Sequence, residues 1–286
     1  MTAKIPQLTC NTGTRMPAFG FGVFQVPAKD TEHVVAQALE AGYRHLDTAA
    51  ADENEAAVGR AITASHIARA DLFVTTKLRV QDAGELPSRD AFGRSLDRLG
   101  LDYADLSLIH QPFGDYCGSW RAIKALHHEG LARATGTSNF YPDRLVDLID
   151  HNEVVPAVNQ IEAHPFFQRH GDLKMMRERG VQMTAWDPLG QGRSDLFDHP
   201  VLTAIAKTHD RTAAQVVLRW LLQRDIAVIP KSVHLARMRE NLAVFDFSLT
   251  DDDMTAIAGP DTGASTAFDH HDPASVAFLG TTRFTT

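Results

Sequence analysis

The chain has 286 residues, with 28 Lys and Arg against 36 Asp and Glu, for a formal net charge of −8. No basic run offsets that acidity, which argues against a nucleic-acid binder. Cys10 and Cys117 are its two cysteines and form no CxxC, so neither a disulfide framework nor a structural zinc is expected.

The first residues, Met-Thr-Ala-Lys-Ile-Pro, lack an apolar signal region, and no apolar run approaches a membrane span. A cytoplasmic protein with no membrane partner is the expectation. Residues 5–18 read as an N-terminal β-hairpin turning at Asn11-Thr12-Gly13, because a helix would have to cross Pro6 and Pro17. Strands are then predicted at 20–24, 43–49, 72–78, 104–110, 133–138, 157–162, 181–186 and 226–230. Helices alternate with them at 30–41, 54–65, 88–99, 118–129, 142–150, 170–179, 200–208, 212–223 and 235–243. Asn54 is placed to cap the second helix.

Eight strand-helix units are the count for a closed (β/α)8 TIM barrel, assigned to 19–245. An open doubly wound sheet ranks lower, because no GxGxxG follows a strand; Gly20-Phe21-Gly22 lies inside one. Residues 246–286 are read as one more helix and a C-terminal arm rich in Gly, Ser and Thr, folded over a barrel end. The whole of 1–286 is taken as a single domain.

Asp47, Lys77 and His110 end the second, third and fourth strands, which are neighbours in a barrel. A carboxylate beside an ammonium holds it charged, and a histidine nearby can donate a hydrogen bond or a proton. Two readings stand on spacing alone: a reactive site at the barrel mouth, or structural ions that close the barrel. Asp269-His270-His271-Asp272 has metal-ligand residue types, but consecutive residues seldom converge on one ion, so no metal is expected. The hydrolase signatures GxSxG and HExxH do not occur.

Several short motifs stand in a fixed order: Met16-Pro17-Ala18-Phe19-Gly20-Phe21-Gly22, Gly42-Tyr43-Arg44-His45-Leu46-Asp47-Thr48-Ala49, Thr75-Thr76-Lys77-Leu78 and Asp105-Leu106-Ser107-Leu108-Ile109-His110. Gly136-Thr137-Ser138-Asn139-Phe140, Asn159-Gln160-Ile161-Glu162-Ala163-His164-Pro165 and Ile229-Pro230-Lys231-Ser232 follow. In these the chain resembles the aldo-keto reductase superfamily, and within it bacterial enzymes similar to 2,5-diketo-D-gluconate reductase.

The resemblance implies a monomeric barrel that binds NADPH in an extended pose and acts on a small-molecule carbonyl. It implies that Ser138, Asn139 and Gln160 hydrogen-bond the nicotinamide carboxamide and that Trp186 stacks on the ring. Gly22 and Val23 would line the cofactor, and Leu189, Gly190, Gln191 and Gly192 would form the loop over the pyrophosphate. Lys231, Ser232, Val233, Arg237, Glu240 and Asn241 match the adenosine end. A 2′-phosphate favours Lys, Arg and a hydroxyl, in keeping with that match. Without the resemblance, Trp186 reads as core, Gln160 as a strand end, and Lys231 and Arg237 as exposed helix-start charges.

The family's catalytic set is Asp, Tyr, Lys and His, with the tyrosine five residues after the aspartate. Here that place holds Asp52, and Gln111 stands where a tryptophan usually follows the histidine. The tetrad then reads Asp47, Asp52, Lys77 and His110. A general acid contributes roughly 10²–10⁴-fold to a carbonyl reduction. An ordinary aspartate, with a pKa of about 3.9, is a poor donor at neutrality, and Lys77 would lower it further.

Four outcomes are open: a carbonyl reductase with another donor, an imine or iminium reductase in which ionised Asp52 stabilises the cation, a C=C reductase, or an NADPH-binding sensor or partner module. Donors in the first case include His110, a water or Tyr116. Phe24, Gln111 and Tyr116 are assigned to the substrate pocket.

Overall fold

The computed structural model describes residues 5–284; the remaining ends of the assigned span, 1–4 and 285–286, lie outside the described residues. Strand β1 (Gln7–Thr9) pairs antiparallel with β2 (Arg15–Pro17), and Gly13 supplies the left-handed residue of the turn between them.

Alternating strands and helices follow: β3 (Phe21–Gly22), α1 (Ala28–Ala41), β4 (His45–Asp47), α2 (Glu55–Ala64), β5 (Phe73–Leu78), α3 (Glu85–Leu99), β6 (Ala104–Ile109) and α4 (Tyr116–His128). Next come β7 (Ala132–Ser138), α5 (Pro142–Asp150), β8 (Val158–Glu162), α6 (His170–Glu178) and β9 (Gln182–Trp186). The chain then runs through α7 (Ser194–Phe197), α8 (Pro200–Thr208), α9 (Ala213–Gln223), β10 (Ala227–Ile229), α10 (Leu235–Leu242), α11 (Asp251–Ala258) and α12 (Pro273–Thr281). Among the described residues, no helix is long and apolar enough to cross a membrane.

Strands β3 to β10 form one parallel sheet in sequential order. Its edges meet: Phe19 bridges Val228 in parallel, Gly20 N donates to Val228 O at 2.9 Å, and Gly22 N donates to Pro230 O at 3.1 Å. This seam explains Gly20, since a Cβ there would lie 2.5 Å from the Ile229 side chain. The predicted (β/α)8 barrel is therefore the observed architecture.

Every residue of β5 and β6 is buried, as a parallel sheet covered by helices requires. Outward residues such as Leu46, Val74 and Ile109 join the helices in the main core, while inward Phe73, Leu106, Leu108, Ala134 and Val158 form a second cluster. Cys10 and Met16 of the hairpin segment close that cluster from below. The barrel floor is thus filled mainly with apolar side chains around one buried His45–Thr75 hydrogen bond of 3.0 Å, and the ionised groups at the strand ends lie in the upper layer. Period-two alternation puts Asp47, Lys77, His110, Ser138, Gln160 and Trp186 in that layer.

Two local expectations are corrected. Asn54 occupies the N-cap position of α2 without capping it. Its Nδ2 instead donates to Val23 O at 3.1 Å and Val26 O at 3.2 Å, while its Oδ1 accepts from Thr48 Oγ1 at 3.2 Å. The Thr48 hydroxyl takes the side-chain oxygen that would otherwise accept from a helix N–H, and the two loop carbonyls fix the amide in that orientation.

The tail holds two helices rather than one. In α12, the Asp272 side chain accepts from Ala274 N and Pro273 takes the first turn. The helix has no buried residues, so it leaves no apolar period in the sequence.

Candidate active site

The upper layer is organised by a buried ion pair. Lys77 Nζ donates to Asp47 Oδ1 and, at 3.1 Å, to Thr48 O. From the opposite wall, Gln160 Nε2 donates to Asp47 Oδ2 at 2.8 Å. Both carboxylate oxygens are therefore satisfied, which a buried charge pair needs if it is not to be a net cost. Two of the three ammonium protons are used, leaving the third for another acceptor.

His110 follows β6 on the inward side, and its backbone N donates to Leu78 O at 3.0 Å. Burial, with the charges of Lys77, Arg79 and His270, pushes its imidazole down to about 3. The ring is neutral throughout the physiological range and offers one N–H donor.

Asp52 ends a 3₁₀ turn over Ala50–Asp52, ahead of a left-handed Glu53. Its side chain accepts no hydrogen bond from another side chain among the described residues. Burial raises its carboxyl to about 7; Lys77 pulls it down, Asp47 and Glu55 push it up, and an Ala49 backbone hydrogen bond lowers it. Desolvation outweighs the cation, the reverse of what the sequence alone suggests.

A second cluster continues the layer. Ser138 Oγ donates to Gln160 O at 2.9 Å, Asn139 Nδ2 donates to His110 O at 3.0 Å, and Trp186 Nε1 donates to Asn139 Oδ1 at 2.8 Å. Asn139 is left-handed, which aims its side chain back into the barrel. Trp186 is half-buried. Gly22 and Val23 are buried at the neighbouring strand end.

Around the start of α10, Lys231 and Arg237 are exposed and carry no ion pair among the described residues. They flank the N-terminus of α10 beside a buried Ser232 and an exposed Val233. Asn241 is buried in the same helix, while Glu240 accepts from Thr212 Oγ1 at 2.7 Å.

The loop 189–192 is turned in on itself. Gly190 N donates to Asp187 O and Gly192 N to Leu189 O, both at 3.1 Å. Gln191 N is held by Asp187 Oδ1. These N–H groups are spent internally, so the loop in this form presents no anion cradle.

Of the residues assigned to substrate, Phe24 is 57% exposed. Gln111 is tied to the tail, its Oε1 facing His270 Nε2 at 2.8 Å. Tyr116 is not brought to the mouth. It opens α4, packs edge-on against Phe140, and its hydroxyl faces Asp147 at 3.4 Å and Arg144 at 3.5 Å. As a proton donor it is therefore ruled out by placement.

The tail's acid-histidine run is spread over separate tasks. His270 stacks on Phe113, His271 meets Tyr141 edge-on, and Asp272 caps α12. A small cavity of about 190 Å³ lies between Phe113, Asn139, Tyr141 and His270. A larger hollow of about 970 Å³ lies at the barrel's other end, under the hairpin; the N-terminal face of a barrel serves stability, not chemistry.

The sequence reading missed three groups. Glu162, His164 and Asp187 cluster within 4.8 Å of one another. Glu162 is saturated by Ser265, Thr266 and His164, and so anchors the tail. Their burial, visible only in three dimensions, is the signal that could have found them.

The aldo/keto reductase family model matches residues 18–260. The chain belongs to that family. It is 43% identical over 292 aligned positions to morphine 6-dehydrogenase of Pseudomonas putida, covering 97% of this chain and 99% of that protein. It is 46% identical to an aldo-keto reductase of Mycolicibacterium smegmatis, covering 90% and 94%.

Among solved structures, an aldo/keto reductase from Brucella melitensis is 42% identical with a TM-score of 0.89, covering 91% of this chain and all of that one. A Bombyx mori aldo-keto reductase solved in complex with NADP is 31% identical with a TM-score of 0.88, covering 92% and 95%.

Proposed function

We propose that this chain is an NADPH-dependent oxidoreductase that reduces a small carbonyl substrate, with Asp52 as proton donor in a tetrad of Asp47, Asp52, Lys77 and His110. What supports this reading is placement: Asp52 ends the turn that follows β4, five residues past Asp47, where burial raises its carboxyl to about 7 and the charges of Lys77 and Asp47 act on it. An aspartate near 3.9 would be almost wholly ionised at neutrality, whereas at this value about half of it holds a proton. The phenol of the family pattern, with an ordinary pKa of about 10, is thereby replaced by a stronger acid that lies close to the operating pH.

NADP(H) is the cofactor, as in the Bombyx mori relative's complex. Lys231 and Arg237, without an ion pair among the described residues, suit a 2′-phosphate, and the half-buried Trp186 beside Ser138, Asn139 and Gln160 suits the nicotinamide. When bound, the reduced nicotinamide supplies a hydride to the substrate carbon. Asp52 gives a proton to the oxygen that becomes negative, and is left as a carboxylate near Lys77. The third ammonium proton and the neutral His110 N–H stabilise that oxygen as charge develops. Asp47 and Gln160 hold Lys77 in place and exclude water.

A second reading has one observation behind it. Above pH 7, Asp52 is an ionised group without a side-chain hydrogen bond, and such a group would stabilise an iminium substrate. The further resemblance to 2,5-diketo-D-gluconate reductase, action as a monomer and a cytoplasmic setting belong to the same proposal.

NADPH oxidation against aldehydes, cyclic ketones and cyclic imines tests it, with calorimetry of NADPH binding in parallel. Turnover of carbonyls faster than imines is expected, and the reverse order would select the second reading. Tight binding without any turnover would make the chain a sensor; no binding would end the proposal.

A further inference from the structure

Arg79 lies two residues past Lys77 and continues β5 in extended backbone, with φ −77 and ψ 157. Alternation puts its side chain on the side shared by Phe73, Thr75 and Lys77, which face the barrel interior. It is only 6% exposed, yet Nε and Nη1 are buried with no hydrogen-bond partner among the described residues.

Four other arginines, Arg69, Arg169, Arg211 and Arg224, also contain one buried unpaired nitrogen. Each of them uses another nitrogen on a carbonyl or carboxylate. Arg79 has no such bond among the described residues. Glu53, Asp82 and Glu55 act on it only through space, and its nearest specific contact is the Phe284 ring, 4.8 Å from Cζ.

A guanidinium taken out of water without hydrogen bonds costs free energy. Nε–H with Nη2 forms one planar edge of the guanidinium and Nη1 with Nη2 the other; Nη2 too makes no hydrogen bond among the described residues, so either edge matches a carboxylate with two parallel N–H···O bonds. Arg79 stands two residues beyond Lys77 on the inward side of the same extended segment, which puts its open edge beside the layer that holds the reacting groups. The residues that the family motifs assign to cofactor and catalysis do not include it.

We propose that Arg79 is the anchor for a carboxylate carried by the substrate, so that this chain prefers carbonyl compounds with an acid group a few bonds from the reacting carbon. The inference rests on the reductase reading above and names its substrate class. Phe284, lying over the guanidinium, keeps water from that pairing.

The test compares para-carboxybenzaldehyde with its methyl ester in wild type, Arg79→Met and Arg79→Lys, with NADPH. Calorimetry of benzoate binding to each protein, with NADP⁺ present, is run alongside. Wild type is expected to show a KM for the acid roughly tenfold or more below that for the ester. Arg79→Met brings the ratio of the acid's KM to the ester's close to one and weakens benzoate by a similar factor. Arg79→Lys keeps the charge but loses the fork, and falls between.

Equal KM values for acid and ester in wild type, or benzoate affinity unchanged by either substitution, would overturn the inference. If Arg79→Met does not fold, the Arg79→Lys comparison decides alone. If neither aldehyde is turned over, the reductase reading fails while the benzoate measurement still decides Arg79.

Discussion

Gln160 and Asp47, 113 residues apart in sequence, meet across the barrel with Nε2 donating to Oδ2 at 2.8 Å. This bond ties the groups that would hold the nicotinamide to the ion pair that would stabilise the reacting oxygen. Gln160→Leu leaves a buried carboxylate oxygen without a donor, at a cost of about 1–3 kcal/mol. The thermal midpoint is expected to fall and kcat to drop roughly tenfold or more; a variant matching wild type in both would show that the bond is incidental.

Lys231 and Arg237 have no partner of their own among the described residues, so removing them costs the folded chain little. Lys231→Ala and Arg237→Ala are each expected to weaken NADPH binding by about ten- to a hundredfold, the value of a charge-assisted hydrogen bond. NADH affinity stays as it was. Calorimetry with both dinucleotides reads the difference, and an equal loss for NADH would place these residues elsewhere than at the 2′-phosphate.

Asp187 holds the Gln191 N–H that a pyrophosphate would need. Its carboxyl is raised to about 6 by burial, with Glu162 adding to the rise against the Gln191 amide and His164. Asp187→Ser removes both a competitor and a negative charge. NADPH binding at pH 8 is expected to tighten several-fold, with a smaller gain at pH 5, where Asp187 is largely protonated in wild type. No change at either pH would mean that the loop opens without regard to Asp187.

Stability against pH carries two opposed signatures. Burial lowers His45 to about 4 and His110 to about 3. The unfolded chain therefore takes up protons below pH 6.5 that the folded chain refuses, and stability falls as pH drops from about 6.5 toward 4. Asp52 acts in the other direction. Folded, it holds a proton up to about 7 that the unfolded chain releases near 3.8, so it costs stability progressively as pH rises between those values. Asp52→Asn should raise stability at pH 8, on the order of a few kcal/mol, and leave it nearly unchanged at pH 3. Denaturant titrations at the two pH values check this; equal shifts at both would contradict the raised carboxyl.

The barrel was legible because its signals are local. Inward and outward residues of β4, β5 and β6 alternate in the sequence, and the helices carry an apolar stripe wherever they lean on the sheet. Where burial supplies no such stripe, as in α12, the sequence gives no periodic cue. The catalytic layer was legible as ionisable residues at successive strand ends. Tyr116 was misplaced because its position just past β6 suggests the mouth, while α4 begins on that residue and turns it toward α5.

Asn54 was given a capping role that its surroundings withdraw. Arg79 and Asp187 could not have been singled out at all. What marks Arg79 is the lack of a bond in a buried place, and what marks Asp187 is its hold on the Gln191 N–H; partners are a property of the folded chain.

The pH dependence of kcat/KM for NADPH-driven aldehyde reduction, in wild type and in Asp52→Asn, tests the central claim most directly. Wild type is predicted to hold a plateau below pH 7 and to fall about tenfold per pH unit above it, as Asp52 loses its proton. Asp52→Asn is predicted to be slower by roughly 10²-fold or more and to lack that descent, while Asp52→Tyr gains at least about tenfold and carries the descent to higher pH. An Asp52→Asn enzyme with the wild-type rate and the same inflection near pH 7 would contradict the account.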